Sequence, residues 1–406
     1  MPRSMSQQTI QSRPVRKTPP RNNKSVFYSF LKVHDWSSDY VSVDNMLRHL
    51  ARKTMSEATR KSYCWQLYGF SQFTRKKPNE LIRLRRDVAE RLVQKYADKL
   101  KEASPRYANL AIASLRAFFS TNGFKHARTL ELESYHVPRR FRATPEYIPT
   151  KIEVYRMADS AGSLRDRAII LSLFSSGLRN STLRALLYRD VVEDLRNGVA
   201  NVRLPVYPEM KLIDPCACKG GIPYSTFICD EGTSALRLYI KERVEKNGEL
   251  AAFDPLFASE YNQVSKEERM HRILTSREVQ LIVKETAKKA DIPEWDAVHP
   301  HALRKSFETV LHSQLVDGSN MDVKVQEVLM GHILPGSQDN YFDLSKVEWM
   351  RVQYSRLKFG RPVIEDKFKV LQTAVARAFE GTGIDPEQVI QEYAKNRQSV
   401  GTKRFT

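Results

Sequence analysis

The sequence predicts a mainly helical protein with a small β-sheet, an α+β class built from two domains. Apolar residues recur at helical spacing along much of the chain. Two β-like runs, 198–207 and 224–230, are separated by a turn rich in Pro, Cys and Gly. With 406 residues, the chain is long enough for two or three domains that each bury a core.

The charge balance indicates the class of partner. Lys and Arg total 66 against 47 Asp and Glu, which leaves a formal net charge of +19. Such an excess favours a polyanionic partner, either nucleic acid or an acidic membrane surface. No apolar run reaches the roughly 18 residues that a membrane span needs, and no signal-peptide pattern is present. We therefore expect a cytoplasmic, nucleoid-associated protein that binds nucleic acid and no membrane.

The first segment, 1–35, is predicted to be a disordered basic arm. Residues 1–24 contain six Lys or Arg, four prolines and no acidic residue. Two interpretations stay open for this arm. It is either a solvated tail without a function of its own or a segment that binds DNA phosphates or lies in a groove.

Residues 36–128 are predicted to form a small all-helical domain. In one helix Ser56 is a plausible N-cap, and in another Pro105 lies in the first turn with Gly123 as terminator. Lys and Arg crowd the polar faces of residues 74–128. Two aromatic and aliphatic stripes at helical spacing are expected to face a core: Tyr63, Leu67, Phe70 and Phe73, then Leu110, Leu115, Phe118 and Phe119.

Prolines and arginines without helical period indicate a linker over 129–150, and a second domain is expected over 151–360. It begins with an Ile- and Leu-rich helix that ends at Gly177. The two β-like runs follow, and the turn between them contains Lys219. Further helices are predicted over 231–247, 276–290, 301–316 and 322–330.

Cysteines are too sparse for a secreted disulfide scaffold. Cys216, Cys218 and Cys229 could supply three ligands of a metal site, but their spacing departs from the usual zinc patterns and no histidine stands nearby. We therefore interpret them as small, partly buried thiols and expect no metal and no other cofactor.

Two motifs of the second domain place cations where an anion could bind. In GLRNSTL, Arg179 follows a helix-ending glycine and precedes a new helix, with Ser181 as its possible cap. In HALRKSF, His301 and Arg304 are three residues apart and share a helical face. Each motif alone is more typical of a surface arginine or an ordinary amphipathic helix.

The order of the candidates changes that interpretation. The chain presents, in order, Arg179, a hairpin lysine, His301, Arg304, His332 and Tyr341. These residue types can donate to or attack a phosphate, and no acidic metal ligand is among them. Arginines and histidines around the non-bridging oxygens would stabilise a pentacovalent transition state and favour the tyrosine phenolate. A lysine could protonate the departing 5′ oxygen. This set predicts metal-free phosphoryl transfer to a tyrosine on the polar stretch 331–342.

In these motifs, and in a Gly-His pair followed nine residues later by a tyrosine, the chain resembles the tyrosine recombinase (phage integrase-like) superfamily, most closely its archaeal and archaeal-virus members. The resemblance implies a clamp of two domains around DNA: a helical core-binding domain (36–128) and a mixed α/β catalytic domain (151–360). It also implies a 3′-phosphotyrosyl intermediate and strand exchange in a homo-tetramer on double-stranded DNA that carries specific attachment sites.

The same resemblance implies individual roles. Arg179 and Arg304 would be the catalytic arginines, His301 and His332 the two histidines, and Tyr341 the nucleophile, with Tyr354 as the alternative tyrosine. Lys219 best fits the hairpin lysine, and Lys211 is the alternative. The family commonly has an acidic residue three places after the first arginine, where this chain has Thr182, and that departure leaves open how the neighbouring side chains are oriented.

The end of the chain, 361–406, is predicted to be a helical extension. Phe368, Leu371, Val375 and Phe379 line one side of a helix, and Asp385 with Pro386 begins another. The extension either packs on its own domain or is exchanged with a neighbouring protomer, as the resemblance suggests.

Three functions fit the sequence. The first is a site-specific recombinase that integrates or excises a mobile element. The second is a type IB topoisomerase-like enzyme, and the third is a catalytically silent DNA-binding protein of the same fold. Because all six catalytic positions are filled, the sequence disfavours the third, and the separate helical domain with its C-terminal extension favours the first over the second.

Overall fold

The computed structural model describes residues 28–123, 130–138, 146–260, 265, 268, 271–338 and 342–360. The chain divides into two compact units, Met1–Thr144 and Pro145–Thr406. Most of the predicted basic arm and the whole predicted extension over 361–406 lie outside the described residues, so those two predictions stay predictions. The predicted class, mainly helical with a small β-sheet, is confirmed.

Helices make up most of the first unit. A short hairpin of two strands, each two residues long, lies before α1 (Val41–Lys53) and was not predicted. Its strands pair antiparallel, with Val33 opposite Ser38. The elements are β1 (Val33–His34), β2 (Ser37–Ser38), α1 (Val41–Lys53), α2 (Glu57–Thr74), α3 (Pro78–Leu81), α4 (Arg86–Lys101) and α5 (Pro105–Ser120).

The helix starts of this unit follow from local chemistry. The Ser56 hydroxyl accepts a hydrogen bond from Thr59 N at 3.3 Å, which confirms it as the cap of α2. Pro105 is the first residue of α5, where its missing N–H leaves no bond unmade. That helix ends at Ser120, three residues before the glycine predicted to terminate it.

Both predicted stripes contribute to the core of the first unit. Leu67 and Phe70 are fully buried and pack with Leu115, Phe118 and Phe119. Tyr63 and Phe73 are half-buried and pack against the same cluster. The aromatic side chains of these stripes therefore belong to the interior, as the helical spacing predicts.

Part of the segment predicted as a linker is tied to the first unit. Residues 130–138 run without helix or strand. Arg116 donates to the carbonyls of Leu130 at 3.3 Å and Leu132 at 2.6 Å, and Tyr135 N donates to Asn109 at 2.8 Å. These bonds satisfy backbone groups that have no partner in a helix or β-sheet.

The second unit combines helices with a two-stranded sheet. Strands β3 and β4 pair antiparallel, with Val206 opposite Tyr224 and Arg203 opposite Phe227. The elements are α6 (Lys151–Asp159), α7 (Leu164–Ser176), α8 (Asn180–Arg184), α9 (Val192–Arg196), β3 (Arg203–Val206), β4 (Tyr224–Phe227), α10 (Asp230–Asn247), α11 (Ser276–Lys289), α12 (Pro300–Leu311), α13 (Val323–Leu329) and α14 (Val347–Ser355).

Helix α7 lies at the centre of this unit and contacts α6, α10 and α12. It is buried on nearly every side, as expected of a helix that is apolar all round. It ends at Gly177, whose φ of +63° is the left-handed conformation that terminates many helices. A Cβ at this position would lie 2.4 Å from the Phe307 ring, so the close packing of α12 also requires glycine.

One helix is shorter than predicted. The helix expected over 301–316 is observed as Pro300–Leu311. After Leu311 the chain forms a turn instead of continuing the helix. In this turn Leu315 N donates to Ser319 O at 2.8 Å, and the Asp317 carboxylate accepts from Ser319 N at 3.0 Å. Gly318 has φ +80° inside this turn. Across the described ranges, no helix combines the length and apolar character that crossing a bilayer requires.

Candidate functional site

Arg304 is the buried centre of the candidate site. It lies one turn into α12, whose first turn is capped by His299 through an Ala302 N to Nδ1 bond of 3.2 Å. Only 3% of its surface is exposed. Nη1 donates to the Gly177 carbonyl at 2.5 Å, and Nη2 donates to the Met330 carbonyl at 2.5 Å. Two backbone carbonyls from distant segments therefore hold the guanidinium plane in one orientation.

His332 lies beside this guanidinium. Its Nε2 is 3.2 Å from Arg304 Nη2, and its Nδ1 is 2.6 Å from Glu327 Oε2. With a proton on Nδ1, the ring donates to Glu327 and accepts from Arg304, so the carboxylate would fix both the tautomer and the ring plane. The structure thus brings His332 and Arg304 together and adds Glu327, which the sequence analysis missed.

Arg179 occupies the N-cap position of α8, with extended backbone at φ −71° and ψ 147°. This corrects the prediction that Ser181 caps the helix. Ser181 lies inside α8, and its hydroxyl donates to the Cys216 carbonyl at 2.9 Å. Thr182, at the place where the family commonly has an acidic residue, is buried in the same helix.

His301 lies on the exposed side of the first turn of α12. Its ring stacks on that of His299, with centroids 6.3 Å apart and planes within 4°. Partial burial lowers the pKa of His301, and the positive charges of Lys305, Arg304, His299 and Arg179 lower it further. These surroundings favour the neutral imidazole over the imidazolium, and the four neighbours gather around it the positive charge that an anion would neutralise.

Two lysines lie between β3 and β4. Lys219 follows Cys218 in a tight turn in which Cys218, Gly220 and Gly221 all have positive φ, and its side chain is exposed. Lys211 Nζ lies against the turn, 3.5 Å from where a Cβ of Gly221 would be. Both Lys211 and Arg179 act electrostatically on the Cys218 thiol, so Lys211 shares a neighbour with the arginine.

The turn with the two lysines is attached to α8. Arg184 pairs with Asp214, and the Asp214 carboxylate accepts from Cys216 N at 2.9 Å. Together with the Ser181 bond, these contacts join the lysine-bearing segment to the helix that begins at Arg179. Neither Arg184 nor Asp214 was singled out from the sequence, because a long-range ion pair leaves no local pattern.

Tyr341 lies outside the described residues. Phe342, directly after it, packs against the core and contacts Trp349, with ring centroids 6.4 Å apart. The alternative tyrosine, Tyr354, is fully buried, and its hydroxyl donates to the Ser175 carbonyl at 2.7 Å. Burial raises its pKa well above the usual value, so Tyr354 is a packing residue.

The cysteines are dispersed over different surroundings. Cys216 is exposed, whereas Cys218 and Cys229 are buried. The Cys218 thiol donates to the Ile222 carbonyl at 3.3 Å, and burial raises the pKa of Cys229 to about 11. Among the residues that the structure describes, no group of three His, Cys, Asp or Glu is arranged to hold a metal ion.

Comparison with known proteins identifies the family. Residues 150–347 match the model of the phage integrase family. The chain is 30% identical over 231 residues to tyrosine recombinase XerA of Thermococcus kodakarensis. The alignment covers 56% of this chain and 67% of that protein. It is 24% identical over 296 residues to tyrosine recombinase XerC of Treponema denticola, covering 69% and 86%.

A solved structure is also similar. The crystal structure of XerA recombinase aligns with 77% of this chain and 98% of that one, at 23% identity and a TM-score of 0.34. With two thirds of an archaeal relative matched at 30% identity, the chain belongs to the tyrosine recombinases of the phage integrase family.

Proposed function

We propose that the protein is a site-specific DNA recombinase that integrates or excises a mobile element through a 3′-phosphotyrosyl intermediate on Tyr341. The observation that carries the proposal is the arrangement around Arg304. Bonds to Gly177, Met330 and His332 use three of the five donors of its guanidinium and orient the others. A group held in this way is suited to the non-bridging oxygens of a phosphodiester.

The proposed reaction needs no energy source beyond the DNA bond. The Tyr341 phenol loses its proton to solvent, and its oxygen attacks the phosphorus while the bond to the 5′ oxygen breaks. A hairpin lysine, Lys219 or Lys211, gives a proton to that oxygen. Arg179, His301, Arg304 and His332 would stabilise the charge on the phosphate. The reverse attack by a 5′ hydroxyl of another strand rejoins the DNA and releases the tyrosine.

The proposed partner is double-stranded DNA with specific attachment sites, bound by a homo-tetramer. The net charge of +19 and the basic surface of the helical segment 36–128 support a role of that segment in DNA binding, with 151–360 as the catalytic part. A cytoplasmic, nucleoid-associated location follows from this partner.

Trapping the covalent intermediate tests the proposal. Nicked duplexes that cover the DNA flanking the coding region are incubated with the full chain, and covalent complexes are resolved on denaturing gels. We expect an adduct whose peptide contains Tyr341, no adduct with Tyr341→Phe, and nearly unchanged DNA binding. The control, Tyr354→Phe, should form the adduct because that hydroxyl bonds only inside the core.

Three outcomes would contradict the proposal. An adduct of full yield with Tyr341→Phe would remove the nucleophile. Relaxation of supercoiled plasmid by the parent chain, without exchange between two substrates under any condition tried, would favour the topoisomerase-like alternative. Absence of an adduct despite specific DNA binding would favour the silent DNA-binding protein.

A further inference from the structure

Tyr224 is a buried tyrosine for which the proposed reaction has no use. It is the first residue of β4, paired with Val206, and 6% of its surface is exposed. Within the part of the chain that the structure describes, its hydroxyl oxygen is fully buried and forms no hydrogen bond of good geometry. A buried hydroxyl without such a bond costs free energy, so its retention calls for an explanation.

The position of the ring relates it to the site. Gly331 packs directly on it: a Cβ built on Gly331 would lie 2.3 Å from Tyr224 Cε1 and 2.4 Å from Cζ. Gly331 follows Met330, whose carbonyl accepts from Arg304, and precedes His332. Tyr224 therefore packs against the segment Met330–His332, which supplies one carbonyl to Arg304 and carries the His332 ring.

The same strand also contacts the segment that supplies the other carbonyl to Arg304. Two residues along β4, the Thr226 hydroxyl donates to the Ser176 carbonyl at 2.9 Å, next to Gly177. The strand thus joins both segments that orient the guanidinium. Burial raises the pKa of Tyr224, while the nearby charges of Arg304 and Arg179 and an interaction of the phenol with the Arg304 guanidinium oppose that rise. Both arginines therefore act electrostatically on the phenol.

We propose that Tyr224 is a positioning residue for the arginine pair: in the complex with DNA its hydroxyl oxygen accepts from one of the two Arg304 N–H groups that Gly177, Met330 and His332 leave unused, and its ring supports Gly331 and His332. A neutral oxygen suits this place, because it can orient two like charges without neutralising the field that attracts the phosphate. This inference rests on the proposed function. It adds a residue that has no counterpart among the six expected catalytic positions.

Tyr224→Phe tests the proposal because it removes only the oxygen and keeps the ring beneath Gly331. Tyr239→Phe is the matched control: Tyr239 is equally buried, and its hydroxyl accepts from Ala258 N at 3.2 Å within the same unit. We expect Tyr224→Phe to unfold at the same or a higher urea concentration than the parent, yet to form the covalent adduct about 10-fold more slowly. Tyr239→Phe should lose stability and keep its rate.

A second substrate separates positioning from a general structural effect. A methylphosphonate at the scissile position has no negative charge, so the orientation of the arginines contributes less to its cleavage. The defect of Tyr224→Phe should shrink to about 2-fold there, if orientation of charge is its cause. An unchanged rate on ordinary DNA, or the same fold-reduction on both substrates, would overturn the proposal.

Proton exchange at the arginines gives a test that needs no cleavage. With ¹⁵N-labelled arginine and bound DNA, the guanidinium protons of Arg304 should exchange with water faster when Tyr224→Phe is combined with Tyr341→Phe than in Tyr341→Phe alone, the background in which the DNA stays uncleaved. Equal exchange would refute the contact. If the parent formed no adduct but exchange differed, the recombinase proposal would fail and the contact of Tyr224 would stand.

Discussion

The Nδ1 atom of His332 lies 2.6 Å from Oε2 of Glu327, five residues earlier in the chain. The other ring nitrogen is 3.2 Å from Arg304 Nη2. A carboxylate, an imidazole and a guanidinium thus form a continuous chain of hydrogen bonds. In this chain, Thr182 stands where the family commonly has an acidic residue, and Glu327 supplies a carboxylate to the site from α13.

Removal of the Glu327 carboxylate should slow cleavage without abolishing it. Glu327→Ala leaves the His332 ring free to change its tautomer, so we expect the rate of adduct formation to fall about 10- to 100-fold. Glu327→Gln should retain part of the rate, because its amide oxygen can still accept from Nδ1. The control is Glu285→Ala, an exposed residue of α11. Equal rates for Glu327→Ala and this control would show that the contact has no part in catalysis.

Arg304 and Arg179 should differ in their effect on stability. Both Arg→Lys variants lose the planar fork, so cleavage should fall about 100-fold or more with little change in DNA binding. Arg304→Lys also disturbs the bonds to the Gly177 and Met330 carbonyls, and we expect its free energy of unfolding to fall by about 1–3 kcal/mol. Arg179, half-buried at a helix start, should show a much smaller loss. Urea unfolding of the two variants measures the difference, and the reverse order would contradict the buried role of Arg304.

A 5′-bridging sulfur distinguishes the two lysines. A thiolate leaves without a proton, whereas a 5′ alkoxide needs one. If Lys219 is the general acid, Lys219→Ala should cleave ordinary DNA very slowly and recover most of its rate on the sulfur substrate. Arg304→Ala should not be rescued, because its task is charge on the non-bridging oxygens.

The position of Lys211 against Gly221 gives this experiment its second arm. Lys211→Ala should behave like the parent on both substrates if that lysine only supports the turn. Rescue of Lys211→Ala and none of Lys219→Ala would transfer the role of acid to Lys211. Rescue of neither would assign the proton to another group or to water.

The lowered pKa of His301 predicts a pH dependence of stability. Burial, then Lys305, Arg304, His299 and Arg179, disfavour the imidazolium in the folded chain. The unfolded chain therefore binds the His301 proton more tightly than the folded chain. Above about pH 6.5, the usual histidine pKa, His301 is compatible with the folded state, and this contribution to stability is lost as the pH falls. Urea unfolding between pH 7.5 and pH 5.5 should show a steeper loss for the parent than for His301→Gln, and equal slopes would contradict the cause.

Bound phosphate should have the opposite effect on the protonation of His301. Its negative charge favours the imidazolium, so DNA binding would take up a proton at His301. We expect the affinity for DNA to rise as the pH falls from 8 to 6.5, and to rise less for His301→Gln. Titrations in two buffers of different ionisation enthalpy would count the protons. Proton uptake that is identical in both proteins would assign it elsewhere.

The sequence by itself determined the class of fold and the family, because both depend on local patterns. Helical spacing predicted the stripes of α2 and α5, and an N-cap and a left-handed glycine marked the start of α2 and the end of α7. Arg304 was predicted from a motif of a few consecutive residues. Two predictions were wrong because another local interaction replaced the expected one. A turn at Gly318 ends α12 earlier than predicted, and Ser181 donates to Cys216, so that Arg179 is the N-cap of α8.

Only the tertiary structure decided how the site is held together. Arg304 reaches a carbonyl 127 residues away at Gly177, and the ring of Tyr224, on β4, packs against Gly331 in the turn after α13. Glu327 contacts His332 only because α13 ends between them, and Tyr354 is excluded as a nucleophile by its burial. Contacts of this kind depend on chain segments that meet only after folding, and no period or spacing in the sequence encodes which side chains will face each other across them.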